Sequence, residues 1–571
     1  LLSIGLNAQQ VEKQSLPLNL KDGDTFVFLG NSITHQKLYT QYIEDFYYTR
    51  YPEIKINFIN AGVSGDKASD ALLRFNNDVA QFKPGYVSVL FGMNDGKYTR
   101  FSHDIFNDYK KNIRMLLDQI DLINANIILI TPTMYDFKQR LKRVGGDKKQ
   151  ISEVENYNST LSFYGMWCSH EAGERGLTFV DMFEPLNRIS REQRRLNPDF
   201  TLINDGIHPD PVGHVIMALA FLEDVGADPV VSTIHINKIS DEWEVTAENG
   251  IIEQGNKNII EFDFTANSLP WTLPEEALNG YKLSFAGKKM NREMIYITGL
   301  ENGNYELLID GICVGSYSNI DLTQGVNLGE NQLTPQYQQS LKVALLNKDK
   351  NQMAVNQPND HLADYIEKLK NKYGKSEFTN LKETGLLGIY FGDPKYKRPT
   401  GADVISKLEY HWGEDDPGIG NDWSAIWYGD LISPFTGEIK FSGNTDCGLK
   451  LIIGDQEIIN IQNESDHSAG TISLEEGKHY PIIIMHSHDG GKDFMELKWS
   501  WEGNVLSKIP SENIYYTNET IDRINKDFWS ETISEMNLNF TRYKNEFGKY
   551  INEIYRINKP VKHKYEIKKS Q

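Results

Sequence analysis

Ser32 sits in Gly30-Asn31-Ser32-Ile33-Thr34, directly after the apolar run Thr25-Phe26-Val27-Phe28-Leu29. A serine on a tight strand-to-helix turn exposes its hydroxyl for nucleophilic attack and points its backbone N–H at the incoming carbonyl. Asp205-Gly206-Ile207-His208-Pro209 comes later in the same region. An Asp three residues before a His can orient the imidazole through one ring nitrogen, leaving the other as a base for Ser32. Two more motifs follow apolar runs, Asn60-Ala61-Gly62-Val63-Ser64-Gly65-Asp66 and Gly92-Met93-Asn94-Asp95. A glycine lets backbone approach a substrate oxygen closely, and an asparagine amide can donate to an oxyanion. Each motif alone is commonplace. Together, and in this order, they describe acyl transfer through a serine nucleophile.

Such motifs need a scaffold that brings them to one place. The strand candidates are Thr25–Leu29, Ile56–Ile59, Tyr86–Phe91, Ile127–Ile130 and Thr178–Val180, each followed by enough chain for a crossover helix, the first over Leu38–Arg50. Runs that are apolar throughout suit strands buried on both faces, so the expected fold is α/β, with a parallel sheet between two helical layers. In such sheets the working residues lie at the carboxyl ends of the strands, where all four motifs fall. Tyr135 and Asp136 follow the fourth strand and are expected as pocket-wall, substrate-binding residues beside Asn31. The basic run Lys138-Gln139-Arg140-Leu141-Lys142-Arg143, with Lys148 and Lys149, reads as a solvated loop before it reads as an acidic-sugar site. His35 reads as a helix cap and His214 as structural.

The rest of the 571-residue chain changes character. Residues 229–332 show alternating stretches punctuated by Asn302-Gly303 and Asp310-Gly311, and predict a small antiparallel β-module. Residues 333–380 and 518–558 read as helical and are expected to pack together. The stretch between them, 384–517, is rich in Trp, Gly and Asp and reads as a β-domain inserted into that helical hairpin. Residues 1–8 read as the end of a signal peptide, with cleavage after Ala8, and imply a secreted or periplasmic bacterial protein. The final segment, from Lys559 to Tyr565, reads as a basic, solvated tail around an extended stretch.

Composition narrows the partners. There are 59 Lys+Arg against 79 Asp+Glu, a net charge of −20, which argues against a nucleic-acid binder and against a polybasic membrane-surface protein. No apolar run approaches a membrane span. Three distant cysteines, Cys168, Cys313 and Cys447, make no paired framework.

On Gly30-Asn31-Ser32, Gly65, Asn94 and Asp205…His208, residues 22–228 resemble the SGNH (GDSL) hydrolases. The resemblance implies a three-layer α/β/α domain with Ser32 as nucleophile, His208 as general base and acid, and Asp205 orienting His208. It also implies an oxyanion hole made from the N–H groups of Ser32 and Gly65 with the Asn94 amide, working without metal or organic cofactor. Asn31 stands where the family name has Asp, and keeps the turn-supporting role without the charge.

Residues 384–517 resemble the lectin-like β-sandwiches named after the anthrax protective antigen. The carrying residues include Gly385-Leu386-Leu387-Gly388-Ile389-Tyr390-Phe391, Trp423, Trp427, Ser433-Pro434-Phe435-Thr436-Gly437 and Leu497-Lys498-Trp499-Ser500-Trp501. Members often bind glycans, some through calcium held by two adjacent Asp residues. Here the pair reads Asp446-Cys447, and thiol sulfur is a poor calcium ligand. The module reads equally as a glycan binder and as a structural or substrate-shaping part, with Trp412, Trp423 and Trp427 as core candidates. The expected function is a secreted serine esterase that removes acetyl or other short acyl groups from carbohydrate. A lipase or arylesterase of the same family is the alternative, and a non-catalytic glycan-binding protein is another.

Overall fold

A computed structural model describes residues 18–143, 155–355, 382–391, 394–396, 399–411, 422–462, 467–489, 494–524 and 547–570. The signal-peptide reading of 1–8, Lys148 and Lys149, Trp412, and the helical readings of 356–381 and 525–546 lie outside them. The chain divides into two compact units, residues 1–356 with 546–571, and residues 357–545.

The first unit begins with five parallel strands: β1 (Thr25–Gly30), β2 (Asn57–Gly62), β3 (Tyr86–Leu90), β4 (Asn126–Ile130) and β5 (Thr178–Val180). They lie in the order β2-β1-β3-β4-β5. The connecting helices are α1 (Ser32–His35), α2 (Leu38–Arg50), α3 (Ala68–Asp78), α4 (His103–Leu122), α5 (Phe137–Arg143), α6 (Tyr157–Arg175), α7 (Phe183–Arg194) and α8 (Pro211–Asp224). Alternation along each strand shows the sandwich directly. Phe26 and Phe28 of β1 join one core with α2 and α8, whereas Val27 and Leu29 join another with α3, α4 and α6. Both faces of the central strands are covered, which is why these strands are mostly apolar on both faces.

The following module is β-rich and mostly antiparallel, as its sequence predicts, and consists of two sheets sharing one core. Arg292–Thr298 pairs parallel with Val230–Ile239, which continues antiparallel into Glu242–Glu248. The other sheet runs Ile312–Ser318, Asn304–Ile309, His563–Lys569, Glu261–Ala266, Gly250–Gln254. Asp310-Gly311 does make the expected two-residue hairpin, since Ile309 pairs with Ile312 and both turn residues have positive φ. Asn302-Gly303 does not, because its flanking strands lie in different sheets.

The C-terminal segment is a middle strand of that second sheet rather than a solvated tail. His563, Tyr565 and Ile567 are buried, and Tyr565 stacks on Phe262. The helix Pro335–Val355 packs on α2, with Asn347 donating to Asp45 and Lys350 ion-paired to Glu44 at 2.7 Å. Gln339 donates to the carbonyls of Ile557 and Lys559, and Lys350 lies over the Phe547 ring.

The second unit is a β-sandwich. One sheet is built around Asp422–Ile432 and His479–Asp489, the other around Gly437–Thr445 and Phe494–Trp501. Trp423, Trp427 and Trp499 are fully buried between them, so these tryptophans are core residues.

Candidate active site

The turn after β1 is set by Asn31, whose Oδ1 accepts from Ile33 N at 3.0 Å and caps α1. This is the work expected of an Asp or Asn at an N-cap, and it needs no charge. Asn31 is only 1% exposed, so its side chain is enclosed in the turn that it caps.

Asp205, Gly206, Ile207 and His208 precede α8, which Asp210 caps and Pro211 opens. Gly206 carries φ +90, and a Cβ there would meet Arg140 Cβ at 2.9 Å and the Asp136 carbonyl at 3.1 Å. Only glycine therefore fits this turn. The turn aims His208 at Ser32, with Nε2 2.8 Å from Ser32 Oγ and Nδ1 2.7 Å from Asp205 Oδ2. A carboxylate accepts only, so Nδ1 carries the proton and Nε2 accepts from the Ser32 hydroxyl. Burial alone would raise the Asp205 carboxyl. Hydrogen bonds from the His208 ring and from the His208 and Ile207 amides outweigh that and hold it well below the usual carboxylate range. Asp205 thus stays ionised.

Gly65 carries φ +83 in a turn closed from Asp66 N to Val63 O. No described group accepts from the Ser32 or Gly65 amide. Asn94 completes the donor set. Its Nδ2 donates to the Asp66 carbonyl at 2.9 Å, and its Oδ1 accepts from the Tyr98 hydroxyl at 2.7 Å. The Asp66 carbonyl can only accept, so the amide orientation is fixed and one amide hydrogen is left to point elsewhere.

Tyr135 and Asp136 are not pocket walls. Tyr135 is buried edge-on against Tyr157. Asp136 is 1% exposed, with its carboxylate held by Arg194 and by Thr201 at 2.7 Å. Its N–H donates to the Gly206 carbonyl at 2.9 Å, so Asp136 braces the Asp205–His208 turn. In the basic run, Lys138 and Lys142 face Asp199. His35 bonds the Gly62 carbonyl through Nδ1 at 3.0 Å. His214 is buried, accepting from Tyr39 N through Nδ1 and donating to Gln36 through Nε2.

Sequence reading assigns no role to three supporting residues. Arg74 on α3 donates to Asp66 at 2.6 Å, Asp78 at 2.7 Å, the Ala61 carbonyl at 2.8 Å and the Gly30 carbonyl at 3.1 Å. It fastens the ends of β1 and β2 to the residue beside Gly65. Asp95 accepts from Ala68 N and Gly92 N, both at 2.8 Å, tying the Asn94 loop to α3, and burial pushes its carboxyl up to about 6. Tyr98 orients Asn94 from a left-handed backbone position, φ +49. Spacing could reveal only the Arg74–Asp78 ion pair along the helix, since the other partners come from separate strands.

Comparison with known proteins places both units. Residues 26–221 match the family model described as GDSL-like Lipase/Acylhydrolase, and residues 382–513 match the PA14 domain. An acetylxylan esterase of Geobacillus stearothermophilus is 26% identical over 236 residues, 38% of this chain and 100% of that protein. The anti-sigma-I factor RsgI3 of Acetivibrio thermocellus is 27% identical over 138 residues, 23% of this chain and 21% of that protein. A solved gut microbial diltiazem-metabolizing enzyme shares the fold with a TM-score of 0.60 at 21% identity, over 98% of this chain and 100% of that one.

Proposed function

With residues 26–221 a GDSL-like acylhydrolase domain and the chain a serine hydrolase of carboxylic esters, we propose that it removes acetyl or other short acyl groups from carbohydrate. The observation that carries the reading is the unbroken hydrogen-bonded chain Asp205–His208–Ser32. In this reading Ser32 Oγ attacks the ester carbonyl while His208 Nε2 takes the hydroxyl proton. The carbonyl oxygen becomes an oxyanion, met by the Ser32 and Gly65 N–H groups and the remaining Asn94 amide hydrogen. Removing one such donor typically costs about 3 to 4 kcal/mol of barrier. The tetrahedral adduct collapses, His208 returns the proton to the leaving sugar oxygen, and an acyl-Ser32 remains. Water then attacks, giving up a proton to His208, and the second adduct collapses as His208 returns that proton to Ser32 Oγ, releasing the carboxylic acid and free Ser32.

The carbohydrate part is supported by the acetylxylan esterase relative and by the attached PA14 domain, through which we propose a glycan contact. Export, read from the apolar run before Ala8, belongs to the same proposal and is tested by locating the activity in culture fractions.

The deciding experiment measures acetate release from acetylated polysaccharides and oligosaccharides beside a chain-length series of nitrophenyl esters. Release from acetylated carbohydrate with activity confined to short acyl chains is expected, and Ser32→Ala should abolish both. Preference for long acyl chains would instead make it a lipase-type enzyme. Failure of Ser32 to react with a fluorophosphonate probe, with no turnover, would leave only a glycan-binding role.

A further inference from the structure

The β-sandwich holds a second group of chemistry-bearing side chains that ester hydrolysis does not use. Asp446 and Cys447 form the turn between strands Gly437–Thr445 and Gly448–Ile453, and His488 is the penultimate residue of strand His479–Asp489. Gly448 pairs with Ser487 in an antiparallel register, so one step further along sets Cys447 opposite His488. Cys447 Sγ lies 3.4 Å from His488 Nδ1. One ligand atom from each of Asp446, Cys447 and His488 falls within 4.8 Å of the other two. All three residues are buried.

We propose that Asp446, Cys447 and His488 form a binding site for a thiophilic divalent transition-metal ion, with zinc the best match. Zinc takes thiolate, imidazole and carboxylate in a tetrahedron. Its usual bond lengths, about 2.3 Å to sulfur and 2.0–2.1 Å to nitrogen, hold those two atoms about 3.5 Å apart. Cys447 Sγ and His488 Nδ1 are hydrogen-bonded at 3.4 Å, so an ion could replace the shared proton with almost no movement of either atom. Calcium does not match, because it takes six to eight oxygens and this set offers sulfur, nitrogen and a single carboxylate. Charge agrees as well. A thiolate and a carboxylate neutralise a doubly charged ion inside the sandwich, the imidazole adds a neutral lone pair, and a water fills the fourth position. Binding releases the Cys447 thiol proton to solvent as the metal–sulfur bond forms.

The surroundings hold these ligands in place. Asp446 Oδ1 accepts from Phe494 N at 3.0 Å, which orients the carboxylate. Cys447 N donates to Thr445 Oγ1 at 3.2 Å, and Thr445 Oγ1 donates to the Phe494 carbonyl at 3.0 Å. The turn is therefore fixed by the sheet of Gly437–Thr445 and Phe494–Trp501 before any ion enters, the support that outer-shell hydrogen bonds give to metal ligands. The ion would clamp this turn to strand His479–Asp489.

The test uses the full chain, stripped of metal with a chelator and titrated with zinc or cobalt(II). One equivalent of zinc per chain is expected. Cobalt should give tetrahedral d–d bands and a thiolate-to-cobalt charge-transfer band in the near ultraviolet. Cys447→Ser should remove the charge-transfer band, His488→Gln should weaken zinc binding at least tenfold, and Cys313→Ser should change neither. Near-ultraviolet circular dichroism of the buried Trp423, Trp427 and Trp499 reports that the sandwich of Cys447→Ser is folded, and the wild-type cobalt spectrum stands without any variant. The proposal is overturned if the wild-type chain takes up no stoichiometric zinc, if the cobalt–thiolate band survives Cys447→Ser, or if calcium outcompetes zinc for the site.

Discussion

Tyr98 does not reach Ser32 or His208, yet it decides what Asn94 can do. Its hydroxyl occupies Asn94 Oδ1, so the amide nitrogen must face the Asp66 carbonyl and the expected oxyanion. Tyr98→Phe removes one hydrogen bond worth about 1 kcal/mol, so kcat should fall roughly five- to tenfold with KM nearly unchanged. Steady-state kinetics on a nitrophenyl acetate would show it, and a rise in KM alone would count against the positioning role. His214 acts on stability. Burial pushes its imidazole down to about 3, so the folded protein keeps it neutral. The unfolded chain protonates it below about 6.5. Between those values the unfolded state binds more protons, so this residue makes stability fall as pH drops from about 6.5. His214→Gln should flatten the fall by up to about 1.4 kcal/mol per pH unit, measured by urea unfolding at pH 7 and pH 5.

At the scale of elements, the oxyanion site depends on how β1, β2 and α3 are tied together. Arg74 makes that tie with one planar guanidinium reaching two carboxylates and two strand-end carbonyls. A lysine carries the charge but not the fork, so it cannot satisfy all four. Arg74→Lys should lower kcat/KM at least tenfold, mainly through kcat, and lower the melting temperature. Unchanged kinetics with lowered stability would mean that Arg74 only holds the fold. Helix α2 shows the opposite relation between pattern and environment. It buries Gln41, Glu44, Asp45, Thr49 and Arg50, because the helix Pro335–Val355 and the loop before the Leu278–Ser284 helix cover the side that would face water in an isolated domain. Asn347, Lys350 and Asn351 supply the partners. A mixed, weakly patterned helix therefore reads ambiguously in sequence until its cover is known.

For the whole first unit, the chain's last strand is a structural member. His563–Lys569 pairs with Asn304–Ile309 on one side and Glu261–Ala266 on the other. Truncation after Asn558 would leave both neighbours with open edges and strip the core of Tyr565 and Ile567. Unpaired edges template aggregation. The truncated chain should express as aggregate or melt well below the full-length protein in a thermal scan, whereas a soluble fragment with an unchanged melt would show that the strand is dispensable. Sequence reading missed this role because a seven-residue strand with charged residues at alternate positions, Lys564, Glu566 and Lys568, looks the same whether its other face meets water or a core.

The parallel sheet and its chemistry were legible because they are local. Each strand of β1–β5 is a short, mostly apolar run, and each motif lies within a few residues of a strand end, so the topology alone gathers Ser32, Gly65, Asn94 and the Asp205–His208 pair. Tertiary structure decided what depends on distant partners. It placed Tyr135 and Asp136 inside the scaffold instead of in the pocket. It recruited Arg74, Asp95 and Tyr98 to hold the donors, and brought His488 to Cys447 across 41 residues. Periodicity records which face of an element is buried. Which groups share that burial is set only when elements far apart in the chain close upon one another.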